Sequence, residues 1–249
     1  MAGHSKWANI KHRKGAQDAK RAKMFTRISK EIMIAVKEGN DPDPNNNPRL
    51  RLAIQNARGI NMPKDNIQRA IDKASDKSSD QLTEMTFEGH GPGGVGIFVE
   101  CMTDNNNRTV SDVRAIFTKR GGSLGKNGSL SFIFDRKGVF TIPKKEEIDF
   151  EELELELIDA GAEEFDSEGE MLIVTTSMED FGNMQKKLDE LNIEAENAGL
   201  QRIPNSTQEV DLETAKKVLA MVEDFEENDD VQNVYHNLEM TPELEKELS

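Results

Sequence analysis

The sequence has one cysteine and no long apolar run in its 249 residues. Cys101 has no partner for a disulfide within the chain, and a chain of this length can bury enough apolar surface to fold without one. No run approaches the roughly 20 apolar residues of a membrane-spanning helix. The N-terminal residues lack the apolar segment of a signal peptide, and Ala2 stands where myristoylation requires glycine. We expect a cytoplasmic protein that does not bind membranes.

Residues that carry metal or nucleotide chemistry are also scarce. The segment GGSLGKNG resembles a phosphate-binding loop, but three residues separate Gly121 from Gly125 where that loop has four, and Asn127 follows Lys126 in place of Ser or Thr. The histidines are scattered and show no zinc-ligand spacing. We therefore predict no metal, no cofactor and no nucleoside triphosphate site. The histidines are His4, His12, His90 and His236.

Two further candidates for catalysis have simpler interpretations. Cys101 lies in the alternating segment VGIFVECM, where a small core residue is expected more often than a nucleophile. The acidic segment EEIDFEELELELID fits a helix that turns Ile148, Leu155 and Ile158 toward the core and its carboxylates toward solvent. The sequence thus predicts no catalytic residues, and a protein that is not an enzyme.

The net charge of −15 is unevenly distributed along the chain. Residues 1–80 have a net charge of +8, whereas residues 81–249 have a net charge of −23. The segment 1–23 alone contains seven Lys or Arg and a single acid. Such a segment attracts polyanions at short range, while the acidic remainder discourages unspecific coating.

The segment 1–80 shows helical periodicity. Apolar residues recur every three or four positions in three stretches, of which the first ends at Gly39, the second ends at Gly59 and the third begins at Pro63. Three short amphipathic helices predict a small bundle. Residues 2–16 lack a long apolar stripe and are interpreted as a basic arm outside that bundle.

Beyond residue 80 the periodicity changes to two, which indicates strands. Val95, Ile97, Val99 and Cys101 fall on one face, a helix follows from about Thr109, and SLSFIFD is predicted to be a strand. From 138 to 202 the order strand, helix, strand, strand, helix, strand resembles a ferredoxin-like unit. The remaining helix near 211–225 and strand DVQNVYHNL are too short for a domain, so we expect them to complete the sheet begun at 83–134.

These patterns predict a multidomain α+β protein. Residues 1–80 form a helical domain with a basic arm, and residues 81–134 with 208–249 form a discontinuous α+β domain. Residues 135–207 form a ferredoxin-like α+β domain inserted into it.

The arm and the start of the first helix contain the first set of candidate nucleic-acid contacts. Lys and Arg spaced through this stretch can reach several phosphates, and the single Trp and two His offer flat surfaces for stacking on unpaired bases. Two alternatives remain, a basic tail that binds polyanions unspecifically and a Trp that packs on the bundle. The candidates are His4, Lys6, Trp7, Lys11, His12, Arg13, Lys14, Lys20 and Arg21.

A second basic stretch lies inside the acidic part of the chain, where residues 108–137 have a net charge of +5. Its helix and Gly-rich loop are candidates for contacts with a nucleic-acid backbone, beside the capped turn TDNNNRT. The alternative is a solvated helix whose charges balance acidic neighbours. The candidates are Asn107, Arg108, Arg114, Lys119, Arg120 and Lys126.

Three segments resemble the signature regions of the YebC family: MAGHSKWANIKHRKGAQDAKRAKMFTRISKEI, FEGHGPGGVGIFVECMTDNNNRTVSDVR and KRGGSLGKNGSLSFIF. The resemblance implies a helical N-terminal domain followed by two α+β domains, one inserted in the other. It also implies that the matching arm residues contact nucleic acid, with the turns TDNNNRT and GHGPGG as secondary candidates. Those arm residues are His4, Lys6, Trp7, Lys11, His12 and Lys14.

The resemblance implies two functions. Some family members are described as DNA-binding transcriptional regulators; others are ribosome-associated translation factors that relieve stalling at proline-rich stretches, and a mitochondrial relative activates translation. A narrow basic arm on an acidic body suits an RNA crevice better than a long duplex, and no major-groove reading motif is evident. We predict a monomer that binds the ribosome and ribosomal RNA; the alternative partner is promoter DNA, and a protein-interaction scaffold is a more distant third class.

Overall fold

The computed structural model describes residues 17–76, 81–144 and 150–248, which form eight α-helices and eight strands. None of these helices combines the length and the apolar character needed to cross a membrane. The helices are α1 (Gln17–Gly39), α2 (Pro48–Gly59), α3 (Lys64–Ser75), α4 (Asn106–Lys119), α5 (Phe150–Asp159), α6 (Phe181–Glu190), α7 (Leu212–Glu227) and α8 (Pro242–Leu248). The strands are β1 (Thr83–His90), β2 (Gly96–Thr103), β3 (Ser123–Leu124), β4 (Phe134–Pro143), β5 (Ala162–Glu168), β6 (Met171–Ser177), β7 (Asn197–Pro204) and β8 (Val231–His236).

The described residues fall into two compact units. The first unit comprises the residues up to Arg27, those from 81 to 135 and those from 203 onward. The second comprises the residues from 28 to 76 and from 136 to 202. The three predicted domains, with boundaries at 80, 134 and 207, stay a prediction.

The three helices predicted for the segment 1–80 are confirmed. Asn47 fixes the start of α2, because its side-chain oxygen accepts a hydrogen bond from the Leu50 N–H at 3.0 Å. The Asn47 amide nitrogen donates to the carbonyl of Ala35 in α1 at 2.7 Å. The buried residues of the apolar stripes are Ile28, Ile32, Ala35 and Val36 in α1, Leu50, Ala53 and Ala57 in α2, and Ile67, Ala70, Ile71 and Ala74 in α3.

The first unit contains a four-stranded sheet in the order β3-β1-β2-β8. Strands β1 and β2 form an antiparallel hairpin around the turn GHGPGG, in which Gly93 has a φ of +69° that favours glycine. Strand β2 is buried on both faces. Ile97, Val99 and Cys101 pack in a core cluster with residues of α4 and α7, so the interpretation of Cys101 as a core residue is confirmed. The opposite face places Phe98 in a smaller cluster.

Strand β8 completes this sheet at the edge of β2. The two strands are antiparallel, with Ile97 opposite His236 and Val99 opposite Val234. This is the pairing expected for the segment DVQNVYHNL. Helix α7 precedes β8 and contributes Val218, Met221 and Phe225 to the core of the same unit.

The second unit contains a four-stranded sheet in the order β5-β6-β4-β7. The predicted succession of strand, helix, strand, strand, helix, strand is present in β4, α5, β5, β6, α6 and β7, as in ferredoxin-like units. Strand β6 pairs antiparallel with both β4 and β5. The apolar face of the sheet packs in one cluster with side chains of α5 and α6, among them Phe140, Leu157, Val174 and Met184.

The prediction of a strand at SLSFIFD is wrong for most of that segment. Residues 127–133 form turns, and β4 begins only at Phe134. The reason is that Leu130 and Phe134 are buried together four positions apart, whereas a strand would present residues two apart. The N–H groups of Ile133 and Phe134 both donate to the Leu130 carbonyl, at 2.9 and 3.3 Å.

The predicted core face of α5 is also wrong. Leu155 and Ile158 are exposed, by 67% and 53%, whereas Leu153 and Leu157 are buried. Each helical residue turns by about 100°, so Leu155 lies nearly opposite the pair Leu153 and Leu157 that joins the core. Ile148, the third residue of the predicted face, lies outside the described residues.

Candidate nucleic-acid interface

Most of the predicted arm contacts lie outside the described residues. Lys20 and Arg21 lie near the start of α1, where the Arg21 side chain is exposed and its guanidinium lies 5.6 Å from the centre of the Phe25 ring. The contacts outside the described part are His4, Lys6, Trp7, Lys11, His12, Arg13 and Lys14.

Two further bases of α1 have structural partners that the sequence did not reveal. The Lys23 Nζ donates to the carbonyl of Glu227 at 2.8 Å. Arg27 donates through Nε to the Val231 carbonyl at 3.1 Å and through Nη2 to the Glu226 carbonyl at 2.9 Å. Glu226 and Glu227 end α7, and the last carbonyls of a helix attract cations. Lys23 and Arg27 therefore attach the start of α1 to α7 and β8.

Arg108 is part of an internal ion-pair network. Its Nη2 donates to the Asp230 carboxylate at 2.7 and 2.9 Å and to Asp104 at 2.9 Å. The Asp230 side chain is only 6% exposed and also accepts bonds from the hydroxyls of Thr103 and Thr109, at 3.2 and 2.9 Å. The hydrogen bond between Arg108 and Asp230 raises the pKa of the Arg108 guanidinium above its usual value. Two carboxylates thus offset the charge of Arg108 at the turn TDNNNRT.

Lys119 and Arg120 share one carboxylate of α7. Arg120 donates through Nε and Nη2 to the two oxygens of Asp224 at 2.7 Å each, and the Lys119 Nζ lies 3.3 Å from one of them. The hydrogen bonds from Arg120 lower the pKa of Asp224 to about 2. These two bases tie the end of α4 to α7, which agrees with the alternative that the basic stretch balances acidic neighbours.

Asn107, Arg114 and Lys126 remain accessible. Their side chains are exposed and make no hydrogen bond or ion pair within the part of the chain that the structure describes. Asn107 and Arg114 share one face of α4 with Ser111 and Thr118, at the spacing of an exposed helical strip. A backbone bound along α4 would therefore meet Asn107 and Arg114.

The loop of residues 125–133, here called the Phe132 loop, has a structure that the sequence did not predict. The buried carboxylate of Glu88 accepts the N–H groups of Gly128 and Leu130 at 2.7 and 2.6 Å, and the Glu88 carbonyl accepts the N–H of Gly125 at 2.7 Å. Those N–H groups are therefore not available to a bound phosphate. Phe132 is 72% exposed on the same loop.

Two family models match the sequence. The model of the TACO1/YebC protein N-terminal domain matches residues 5–77. The model of the TACO1/YebC second and third domain matches residues 82–238.

Related proteins are similar to this chain over nearly their whole length. A protein of Amoebophilus asiaticus is 56% identical over 241 residues, which are 96% of this chain and 98% of that protein. A protein of Protochlamydia amoebophila is 50% identical over 247 residues, 99% of this chain and 100% of that protein. Both bear the name "probable transcriptional regulatory protein".

A solved structure has a similar fold. It is the crystal structure of a conserved hypothetical protein from Aquifex aeolicus, with a TM-score of 0.82 and 42% sequence identity. The similarity covers 94% of this chain and 97% of that chain. Sequence and fold similarity therefore extend over both compact units.

Proposed function

This chain belongs to the TACO1/YebC family, and from that membership we propose that it is a nucleic-acid-binding regulator of gene expression. The names of its relatives support a regulatory role. The observation that carries the nucleic-acid part is the basic arm. The segment 1–23 contains seven Lys or Arg and one acid, in a chain whose net charge is −15.

Our more specific proposal is a ribosome-associated translation factor without catalytic residues of its own. The arm binds ribosomal RNA through phosphate contacts and through stacking of Trp7, and this contact relieves stalling at proline-rich stretches. An acidic body that is repelled by a long duplex supports insertion of the arm into an RNA crevice. We propose that the protein acts as a cytoplasmic monomer, without a membrane partner.

The ion pairs of α4 support an arm-centred mode of binding. Arg108, Lys119 and Arg120 each have an acidic partner within 3.3 Å, so much of the charge in the second basic stretch is balanced internally. Among the predicted contacts of that stretch, Arg114 and Lys126 are exposed and have no acidic partner in the described residues. We infer that they make auxiliary phosphate contacts, while the arm supplies most of the electrostatic attraction.

A second candidate is a transcriptional regulator that binds promoter DNA. The names of the relatives favour it directly. The same arm residues are its contacts, so the two candidates differ in the nucleic acid that they bind rather than in the residues that bind it.

Ultraviolet crosslinking in cells, with RNA and DNA recovered separately, tests both candidates. The arm variant (Trp7→Ala, Lys11→Ala, Lys14→Ala) is compared with the wild type and with a control variant (Lys64→Ala, Lys73→Ala) that also removes two lysine charges, from exposed positions of α3. Discrete crosslinks to ribosomal RNA that only the arm variant loses support the translation factor.

The other outcomes are equally specific. Discrete genomic DNA sites with background RNA support the promoter-binding regulator. Equal losses in the arm and control variants indicate unspecific attraction between charges. Absence of any nucleic-acid crosslink from the wild type contradicts both candidates and favours a protein-interaction scaffold.

A further inference from the structure

Phe132 is 72% exposed, the highest value among the large apolar side chains whose exposure the structure describes. An isolated apolar side chain on a surface needs no special explanation, because folded proteins expose many of them. Phe132 differs because the backbone on both sides of it is fixed, so the ring is presented to solvent by a preformed structure.

The fixation comes from both sides of Phe132. Leu130 and Phe134 are buried in one cluster with Phe98, so the residues two positions before and after the ring are anchored. The Phe132 carbonyl accepts a hydrogen bond from the Asn205 Nδ2 at 3.0 Å. The carbonyl of the next residue, Ile133, accepts the Asn205 N–H at 2.9 Å.

The Glu88 carboxylate fixes the other end of the Phe132 loop. It holds Gly128 and Leu130 by charge-assisted hydrogen bonds of 2.7 and 2.6 Å. An aromatic ring on such a preorganised backbone loses little conformational entropy when a partner binds it, since Phe has only two side-chain torsions.

The sequence of the loop and of the residues before it favours an anionic partner, although Glu88 holds the loop and Asp135 follows it. No Asp or Glu occurs between Val113 and Phe134, although the chain contains 47 acids. Lys126 is exposed on the same loop. Proteins bind single-stranded nucleic acid by combining aromatic rings that stack on bases with cations that contact the backbone, and the Phe132 loop has one exposed residue of each kind.

We propose that Phe132 stacks on an unpaired base of the bound nucleic acid and that Lys126 contacts a neighbouring phosphate. This inference rests on the proposed function, because it assigns a second contact for the same class of ligand. It adds Phe132, which neither the charge pattern nor the family resemblance indicated as a nucleic-acid contact.

Substitution of Phe132 tests the stacking contact in the full-length chain. The probe is a fluorescently labelled uridine oligonucleotide of about eight nucleotides, within the range of sites for single-stranded binding. Phe132→Leu keeps an apolar side chain but removes the ring, and we expect it to weaken binding about 5-fold or more. Phe132→Tyr keeps the ring and should bind as the wild type does. Leu155→Ala, at another exposed apolar position, is the matched control.

A fluorescence experiment reports the stack directly. Trp7 is the only Trp, so Phe132→Trp in a Trp7→Phe background places a single indole on the loop. The expected result is quenching of its emission by the uridine oligonucleotide and little change with an abasic oligonucleotide of equal length and charge. Equal responses to both oligonucleotides overturn the stacking proposal.

The outcomes separate this proposal from the proposed function. If the arm variant loses oligonucleotide binding while Phe132→Leu retains it, the stacking proposal fails and the arm model stands. If Phe132→Leu keeps oligonucleotide affinity and binds purified ribosomes less well, but binds protein-free ribosomal RNA as the wild type does, the ring contacts ribosomal protein and stacking is excluded. If the wild type binds neither oligonucleotides nor ribosomes, the proposed function itself fails.

Discussion

Arg108, Arg114 and Arg120 lie within one basic stretch, yet their roles differ because of what surrounds each of them. Asp230 and Asp104 engage Arg108, and Asp224 engages Arg120, whereas Arg114 has no such partner in the described part of the chain. Asp224 lies in α7 and Asp230 in the turn before β8, far along the chain from the bases that they engage. Charge counting along the sequence therefore identified the basic stretch but not its accessible members.

We expect Arg108→Ala to lower the free energy of unfolding clearly more than Arg114→Ala does, because it leaves the buried Asp230 carboxylate without its counter-charge. The two threonine hydroxyls and the partial exposure of Arg108 limit the loss. Arg114→Ala is the matched control, with an expected change within about 0.5 kcal/mol. Urea unfolding measures both, and equal effects would contradict the structural role of Arg108.

Asp224 gives a prediction about pH. Its pKa is lowered to about 2 by the hydrogen bonds from Arg120, so the ionised carboxylate stabilises the fold at every pH above its ordinary pKa of 3.8. That contribution, about 1 to 2 kcal/mol for this partly exposed group, is lost as the pH falls from about 4 to about 2. The difference in unfolding free energy between wild type and Asp224→Asn should shrink over this interval.

A double-mutant cycle isolates the cause of that pH dependence. In an Arg120→Ala background, the effect of Asp224→Asn on urea unfolding should be small and should vary little between pH 4 and pH 2. An unchanged pH dependence in that background would show that Arg120 is not the source of the lowered pKa.

At the scale of elements, amphipathic patterns predicted the positions of helices and strands better than they predicted which face of each element is buried. The helix α5 has leucines at every second position from 153 to 157, so its sequence is compatible with more than one buried face. The core of the second unit selects Leu153 and Leu157, four positions apart. Periodicity was also misleading in the Phe132 loop. Its alternating apolar residues predicted a strand, but they belong to turns that are held by hydrogen bonds to Glu88.

The face of α5 can be tested with two substitutions of the same type. Leu157 is fully buried, so we expect Leu157→Ala to lower the free energy of unfolding by about 2 to 4 kcal/mol. Leu155 is largely exposed, and Leu155→Ala should change it by less than about 0.5 kcal/mol. Urea unfolding at neutral pH measures both variants. A larger loss of unfolding free energy for Leu155→Ala than for Leu157→Ala would support the buried face that was predicted from the sequence.

At the scale of the whole molecule, the separation of charge is the dominant property. A segment of net charge +8 precedes a body of net charge −23 in the same chain. At physiological salt the Debye length is about 8 Å, so a polyanion in contact with the arm experiences the body only where the two come close. Binding should therefore depend on salt through a small number of phosphates at the arm.

The salt dependence gives a quantitative prediction. If the arm neutralises about five phosphates, the log–log slope of affinity against salt should be about −3.5 for single-stranded and −4.5 for duplex ligands. The arm variant loses two lysines, so the magnitude of its slope should fall by about 1.4 to 1.8. The control variant should keep the wild-type slope. Binding that does not change with salt would contradict the arm model.

The sequence by itself determined the features that depend on neighbours along the chain. These are the family membership, the three N-terminal helices, the order of elements in the second unit and the basic charge of residues 1–23. Helical period, strand alternation and caps such as Asn47 are local, and family similarity is read position by position. Net charge needs no coordinates at all.

Only the tertiary structure decided which side chains remain available. Asp224 and Asp230 neutralise bases that lie far from them in the sequence, and Glu88 occupies the N–H groups of a Gly-rich loop. Phe132 is left exposed between Leu130 and Phe134, which are buried two positions away on either side. The physical reason is that hydrogen bonds and burial act through space, over a few ångströms, and the sequence does not show which of its distant residues come that close.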